Sequence, residues 1–352
     1  MSSSTLAHPG IGDEIAIAGP GHSSSSPNLH GEILDVLGEP GSELYRVRWS
    51  DGTITILPSG AAPKQALVTR ATPRTRIRVL GSRGNAGTAG LVDGWIGLGL
   101  PVELVGADDL LDGARPDDLV LGRLDVLPTL DGVEPGLLAL LLAERRGLRV
   151  LNPAHGLLGA HDKLRTARLF AQAHLPHPAT VVVPPGSSKL DVETPCVVKP
   201  RFGSWGRDVC RCENDRSLAG CLEEMRERPW FRRHGALVQE LLPTGRRDLR
   251  VIVAGGRVVG AAERVAAEGE WRTNVTLGGS LRRAWPSDDA AELARTAAAV
   301  VDADLVGVDL VPTAGRGYVV LELNAAVDFD ETYALGDASV FLEIARALNL
   351  AG

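Results

Sequence analysis

The chain has 352 residues, room for about two domains and a small accessory module around a large core. Its 37 basic and 44 acidic residues give a net charge of −7, which argues against a nucleic-acid surface as the main role, because such a surface shows as a basic excess. No apolar run approaches about 18 residues, so no membrane span is expected.

Residues 1 to about 70 read as a separate β module. Short runs Asp13 to Ala18, Glu32 to Leu37, Leu44 to Trp49 and Thr53 to Leu57 are broken by Gly, Pro and Ser clusters. Ser50-Asp51-Gly52 is the expected hairpin turn and Ser23 to Ser26 the expected mobile loop. No catalytic constellation is found here. Gly12-Asp13-Glu14-Ile15, Gly31-Glu32-Ile33-Leu34 and Tyr45 to Gly52 together resemble a small SH3-like bacterial barrel, which implies a docking module or a stability appendage.

From Arg76 strands and helices alternate. Ile77 to Leu80 reads as a strand, and Gly81 to Gly87 is a loose Gly-rich turn without the acidic ribose partner of a dinucleotide fingerprint. Gly132 to Arg146 is expected as a helix, Leu148 to Leu151 as a strand, and Asp162 to Ala173 as a helix ended by Pro176 and Pro178. His155, His161, His174, His177 and His234 have no metal spacing and read as surface residues. The four cysteines, Cys196, Cys210, Cys212 and Cys221, lack CxxC pairs and follow no secretory signal, so they read as reduced core residues of a cytoplasmic protein.

Pro195-Cys196-Val197-Val198-Lys199 ends an apolar strand on a lysine, which calls for an anionic partner. Just beyond it, Gly203 and Gly206 in Gly203-Ser204-Trp205-Gly206 allow backbone N–H groups to approach phosphate oxygens. The segment is no P-loop, since Gly-Lys-Ser/Thr is missing and Val209 to Arg211 reads as a strand. Arg250 and Arg264 sit on apolar strands, Val251 to Ala254 and Arg257 to Ala262, where guanidinium groups need phosphate or carboxylate partners. Near the C-terminus, Val306 to Val311 carries Asp309 and Val319 to Asn324 carries Glu322 and Asn324, two strands joined by a turn at Thr313 to Gly317. Glu322 and Asn324, two apart, share a face, and a hairpin brings Asp309 within reach. Two acids and an amide among Val and Leu imply a cation, and an all-oxygen set suits Mg2+ completed by phosphate oxygens.

In this order, Asp162-Lys163-Leu164, Val198-Lys199-Pro200 with Gly203 to Gly206, Val238-Gln239-Glu240-Leu241-Leu242, Asp248-Leu249-Arg250-Val251, Arg264, Arg272-Thr273-Asn274 with Gly278-Gly279, Asp309, and Glu322-Leu323-Asn324 closely resemble the RimK-like branch of the ATP-grasp ligases from about residue 75 onward. The resemblance implies a mixed α/β and α+β chain: a pre-ATP-grasp α/β domain over 75–155, then an ATP-grasp domain over 156–352. The latter would comprise a lid lobe at about 180–240 and a metal-binding lobe at about 241–352. It also implies that Lys163 and Lys199 contact ATP phosphates, that Gly203, Ser204, Trp205 and Gly206 close over them, and that Gln239, Glu240, Leu241 and Leu242 form the adenine hinge. Asp248 is then the ribose-side acid. Arg250, Arg264, Arg272 and Asn274 surround the γ-phosphate and acyl intermediate, and Asp309, Glu322 and Asn324 hold Mg2+, with two ions expected and Mn2+ an alternative.

The implied chemistry joins a carboxylate to an amine through an acyl phosphate, on an amino acid, a peptide or a carrier protein. After Asn324, Ala325 to Asp330 lacks the small-small-proline-glycine continuation of the ribosomal-protein glutamate ligases and is closer to the LysX and ArgX type, which act on a small acidic carrier protein. A ligase or macrocyclase tailoring ribosomal peptides and an inactive ATP-binding regulator are the alternatives, and a homo-oligomer is left open.

Overall fold

Strict alternation builds the N-terminal part. The computed structural model describes residues 14–17, 29–37, 43–50, 53–58, 67–69, 75–187 and 192–351. The chain divides into two units, Met1–Arg74 and Thr75–Gly352. In the first, β1 (Glu14–Ile17), β2 (Leu29–Leu37), β3 (Leu44–Trp49), β4 (Ile54–Pro58) and β5 (Leu67–Thr69) form an antiparallel sheet in the order β4-β3-β2-β1-β5. On β3, Tyr45, Val47 and Trp49 turn inward against Ile33, while Leu44, Arg46 and Arg48 face out. The expected turn at Asp51-Gly52 and the loop at Ser23 to Ser26 lie outside the described residues.

The second unit begins with β6 (Ile77–Leu80), α1 (Ala86–Gly97), β7 (Val102–Val105), β8 (Leu119–Gly122), α2 (Leu137–Arg145) and β9 (Arg149–Leu151), whose strands make a parallel sheet in the order β7-β6-β8-β9. Ile77, Val79, Leu119 and Leu121 cluster with the apolar face of α1, and Leu80 and Val120 with that of α2, so helices cover both faces of the sheet. The helix expected over Gly132 to Arg146 is shorter than read. Gly136 takes φ 140°, outside the helical region, and Val133 instead bridges Val126, so α2 starts at Leu137.

Two helices follow, α3 (Ala154–His161) and α4 (Lys163–Gln172), then β10 (Thr180–Val183), β11 (Cys196–Lys199), β12 (Cys210–Cys212), α5 (Asp215–Met225), α6 (Pro229–His234) and β13 (Ala236–Glu240). Asp162 separates α3 from α4: its carboxylate caps α4 through the Arg165 N–H and binds Arg201 beyond β11 at 2.7 and 2.5 Å, which ties the helix start to that strand. The antiparallel sheet β10-β13-β11-β12 packs α5 and α6 over Val198, Leu222, Met225 and Trp230. All four cysteines are free, three of them buried.

The last part holds β14 (Arg247–Ala254), β15 (Arg257–Val265), β16 (Ser280–Arg283), α7 (Asp288–Val300), β17 (Leu305–Thr313), β18 (Gly317–Asn324) and α8 (Val340–Ala347). Its antiparallel sheet runs β16-β15-β14-β17-β18. Val251, Val253, Val306, Val308 and Leu310 bury against the alanines of α7, and Ile252 and Leu305 against the α8 side. Charged residues on β14, β15 and β17 are therefore forced to find partners inside the protein.

Candidate active site

A cavity of about 110 Å³ gathers residues from β11, β13, β14, β15 and β18. Lys163, Lys199, Gly203, Ser204, Trp205, Gly206, Gln239, Glu240, Leu241, Leu242 and Asp248 all line it, as do Arg264, Arg272, Asn274 and Glu322. Residues scattered over 160 positions of sequence thus meet at one cleft. Lys199 is 6% exposed and donates to Gln239 Oε1 at 2.6 Å, while Gln239 donates to Thr180 Oγ1. Burial lowers its ammonium to about 8, with Glu322 pulling the other way. Lys163 donates to the Gly203 carbonyl at 2.6 Å and lies 3.5 Å from Glu322 Oε2. Trp205 and Gly206 both take positive φ, 63° and 68°, and Arg272 holds the loop by donating to the Gly206 carbonyl. The Glu240 carboxylate accepts from Arg316 at 2.6 Å, and Leu241 and Leu242 line the cleft beside it.

Beside the cleft lies a buried charge network. Asp309, 1% exposed, accepts from Arg250 at 2.7 and 2.8 Å and from Arg264 at 2.6 Å. Burial alone would raise its carboxyl, but Arg250 and Arg264 outweigh it and hold the group well below the usual carboxylate range. Arg264 also grips Asp248 through two bonds of 2.7 and 2.6 Å, and Thr273 adds a third contact to Asp248. The partners expected for Arg250 and Arg264 are therefore carboxylates on neighbouring strands. Glu322 stands opposite Asp309 across β17 and β18, and Asn324 Oδ1 accepts from the Ala326 N–H.

A second cavity of about 390 Å³ adjoins the first, and the two share Lys163, Gly203, Ser204, Trp205, Arg264, Asn274 and Glu322. Its other walls include Arg250, Asn324, Asp125, His161, Asp328 and Phe329. His161 is a correction to the sequence reading. At 3% exposed it is a core residue, and burial lowers its imidazole to about 3. Asp125 was also missed: it is a half-buried acid three residues past β8, and only its position at the end of a parallel strand could have flagged it.

Residues 160–347 match the model of the RimK-like ATP-grasp domain, and residues 7–62 match a domain of unknown function, DUF1918. The tetrahydromethanopterin:alpha-L-glutamate ligase of Methanosarcina acetivorans is 31% identical over 207 residues, covering 51% of this chain and 64% of that protein. The alpha-aminoadipate–LysW ligase LysX of Saccharolobus solfataricus is 27% identical over 203 residues, 56% of this chain and 74% of that one. Among solved structures, the ATP-grasp ligase PsnB complexed with minimal precursor, Mg and ADP superposes with a TM-score of 0.54 at 19% identity, covering 78% of this chain and 97% of PsnB, a likeness of fold. The motifs keep their order from Lys163 to Asn324, and the family model spans more than half of the sequence: the chain belongs to the RimK-like ATP-grasp family.

Proposed function

We propose that this protein is an ATP-dependent carboxylate–amine ligase. The observation that carries the reading is the shared wall between the two cavities: Lys163, Gly203 to Trp205, Arg264, Asn274 and Glu322 face both the first cleft and the larger chamber. A phosphoryl group passed across that wall would remain in contact with the same cations throughout. In the first step a carboxylate oxygen attacks the γ-phosphorus and ADP leaves. In the second an amine nitrogen attacks the acyl carbon, phosphate leaves and the nitrogen loses a proton.

Mg2+ suits the donor set. A carboxylate offers about four acceptor positions, and the arginines occupy three at Asp309, leaving one on Oδ1. Glu322 and Asn324 face the second cavity, and Mg2+ needs one or two carboxylates beside phosphate oxygens. Asp309, Glu322 and Asn324 would hold it, and the ion would neutralise charge on the β- and γ-phosphates. One or two ions, or Mn2+, are compatible with this set. Lys163 and Lys199 would bind phosphate, Arg250, Arg264, Arg272 and Asn274 would steady the transferring group, and the Gly203–Gly206 loop would exclude water. The relatives' names suggest an amino acid, a peptide or a carrier protein as substrate, and the four free thiols suit a reducing cytoplasm.

The test is hydroxamate formation with ATP, Mg2+, hydroxylamine and a panel of carboxylates that includes glutamate-terminated peptides. Hydroxamate and ADP in equal amounts with at least one acid are expected. ATP bound but no hydroxamate from any acid would favour a regulator that keeps the fold without the reaction.

A further inference from the structure

One half of the larger cavity is left without a role by the phosphoryl step. Strand β6 pairs with β7 on one side and β8 on the other, so the chain order reverses there, and the crevice beyond the carboxyl ends of β6 and β8 is where open α/β sheets take ligands. Gly87, in the first turn of α1, and Asp125, past β8, line the cavity at that crevice. Asp328 comes up against the same turn: a Cβ on Gly87 would lie 2.1 Å from its Oδ1.

The chemistry of this half is that of an acceptor. His161 lines the chamber, its Nε2 is buried with no hydrogen-bond partner, and its ring also bonds the Leu124 backbone. Arg123, fully buried, donates through its two terminal nitrogens to the Ala325 and Val327 carbonyls, at 3.3 and 2.8 Å, and its Nε has no partner. Asp125 takes an N–H from Asn85 and one from Val126, both neutral donors. Neither Asp125 nor Asp328 makes a close ion pair among the described residues; Arg123 acts on both from behind, Lys163 on Asp125 and Arg250 on Asp328 across the chamber, and Asp330 adds a third acid at the rim. Leu281, Phe329 and Tyr333 supply the apolar remainder.

We propose that this half is the amine site of the ligase and that it selects an amine carrying net positive charge and no side-chain carboxylate. The ammonium group lies among Asp125, Asp328 and His161 Nε2, and a basic side chain runs along Phe329 and Tyr333 toward Asp330. The inference rests on the ligase reading and parts from the glutamate named for the Methanosarcina relative, since a second carboxylate here would meet like charge in a partly dry site.

The experiment is calorimetric titration of the full chain, saturated with a non-hydrolysable ATP analogue and Mg2+, with L-lysine and L-glutamate, which share an α-carboxylate and differ in side-chain charge. Lysine is expected to bind at least about ten-fold tighter, as opposite rather than like charge requires. Asp125→Asn and Asp328→Asn should each weaken lysine about five-fold or more by removing one charge, with analogue binding reporting that each variant is folded. Glutamate binding as tightly as lysine, no lysine binding, or unchanged lysine affinity in both variants overturns the proposal. Hydroxamate formation together with tighter calorimetric binding of glutamate than of lysine would sink this inference alone; absence of hydroxamate would sink the ligase reading instead.

Discussion

Lys199 is an ammonium group held where water is scarce, and its environment makes nucleotide binding depend on pH. In the free protein it gives up its proton near 8 rather than 10.5, because burial penalises the charged form. Phosphate favours that form, so ATP affinity should be level below about pH 7 and then weaken by up to about ten-fold per pH unit above 8. Titrating a non-hydrolysable analogue from about pH 6.5 to 9.5 reads this directly, and Lys199→Arg, whose guanidinium stays charged, should flatten the profile. A flat profile in the native chain would show that Lys199 does not meet phosphate. Folding responds with the opposite sign: between 8 and 10.5 the unfolded chain binds the extra proton, so this residue makes stability rise with pH there. Such a lysine was legible in the sequence as a charge ending an apolar strand; its hydrogen bond to Gln239, 40 residues away, was not.

Asp309 clamps strands β14, β15 and β17 together, while Glu322, directly opposite it on β18, takes no part in that clamp. Asp309→Ala leaves Arg250 and Arg264 buried without their shared carboxylate, which should cost about 3–5 kcal/mol of stability. Glu322, whose side chain is 28% exposed and 3.5 Å from Lys163, should cost under about 1 kcal/mol when changed to Ala. Urea unfolding of both variants checks the difference, and equal losses would deny Asp309 its clamping role. The two strands themselves were readable from runs of Val and Leu around Asp309 and Glu322. Their partners were not, because Arg250 and Arg264 lie 59 and 45 residues upstream and only antiparallel pairing brings them over Asp309. Local pattern also misled at Gly132 to Arg146, where a tertiary bridge at Val133 and the backbone of Gly136 override helix propensity, and at His161, whose burial comes from α3 packing rather than from its neighbours in sequence.

At the scale of the molecule, each unit carries its own core: Ile33, Tyr45, Val47 and Trp49 in the first, and several clusters drawn from residue 77 onward in the second. Removing residues 1–74 should therefore leave the rest folded, with the affinity for an ATP analogue within about two-fold of the full chain, since a domain with its own core can fold alone. The outer face of β3 and β4 presents Arg46 and Arg48 opposite Ile56 and Ile54, the isoleucines 57% and 50% exposed, with Glu32 of β2 3.7 Å from Arg48. A mixed charged and apolar face suits a peptide or protein better than a free amino acid. If it captures the acyl substrate, truncation should raise KM several-fold for the carboxylate that gives the strongest hydroxamate signal while kcat stays put, because uniform binding is lost and transition-state contacts are not. A small free acid as substrate would show no such change. An unchanged KM with a peptide or protein substrate would remove recruitment as the role of this unit.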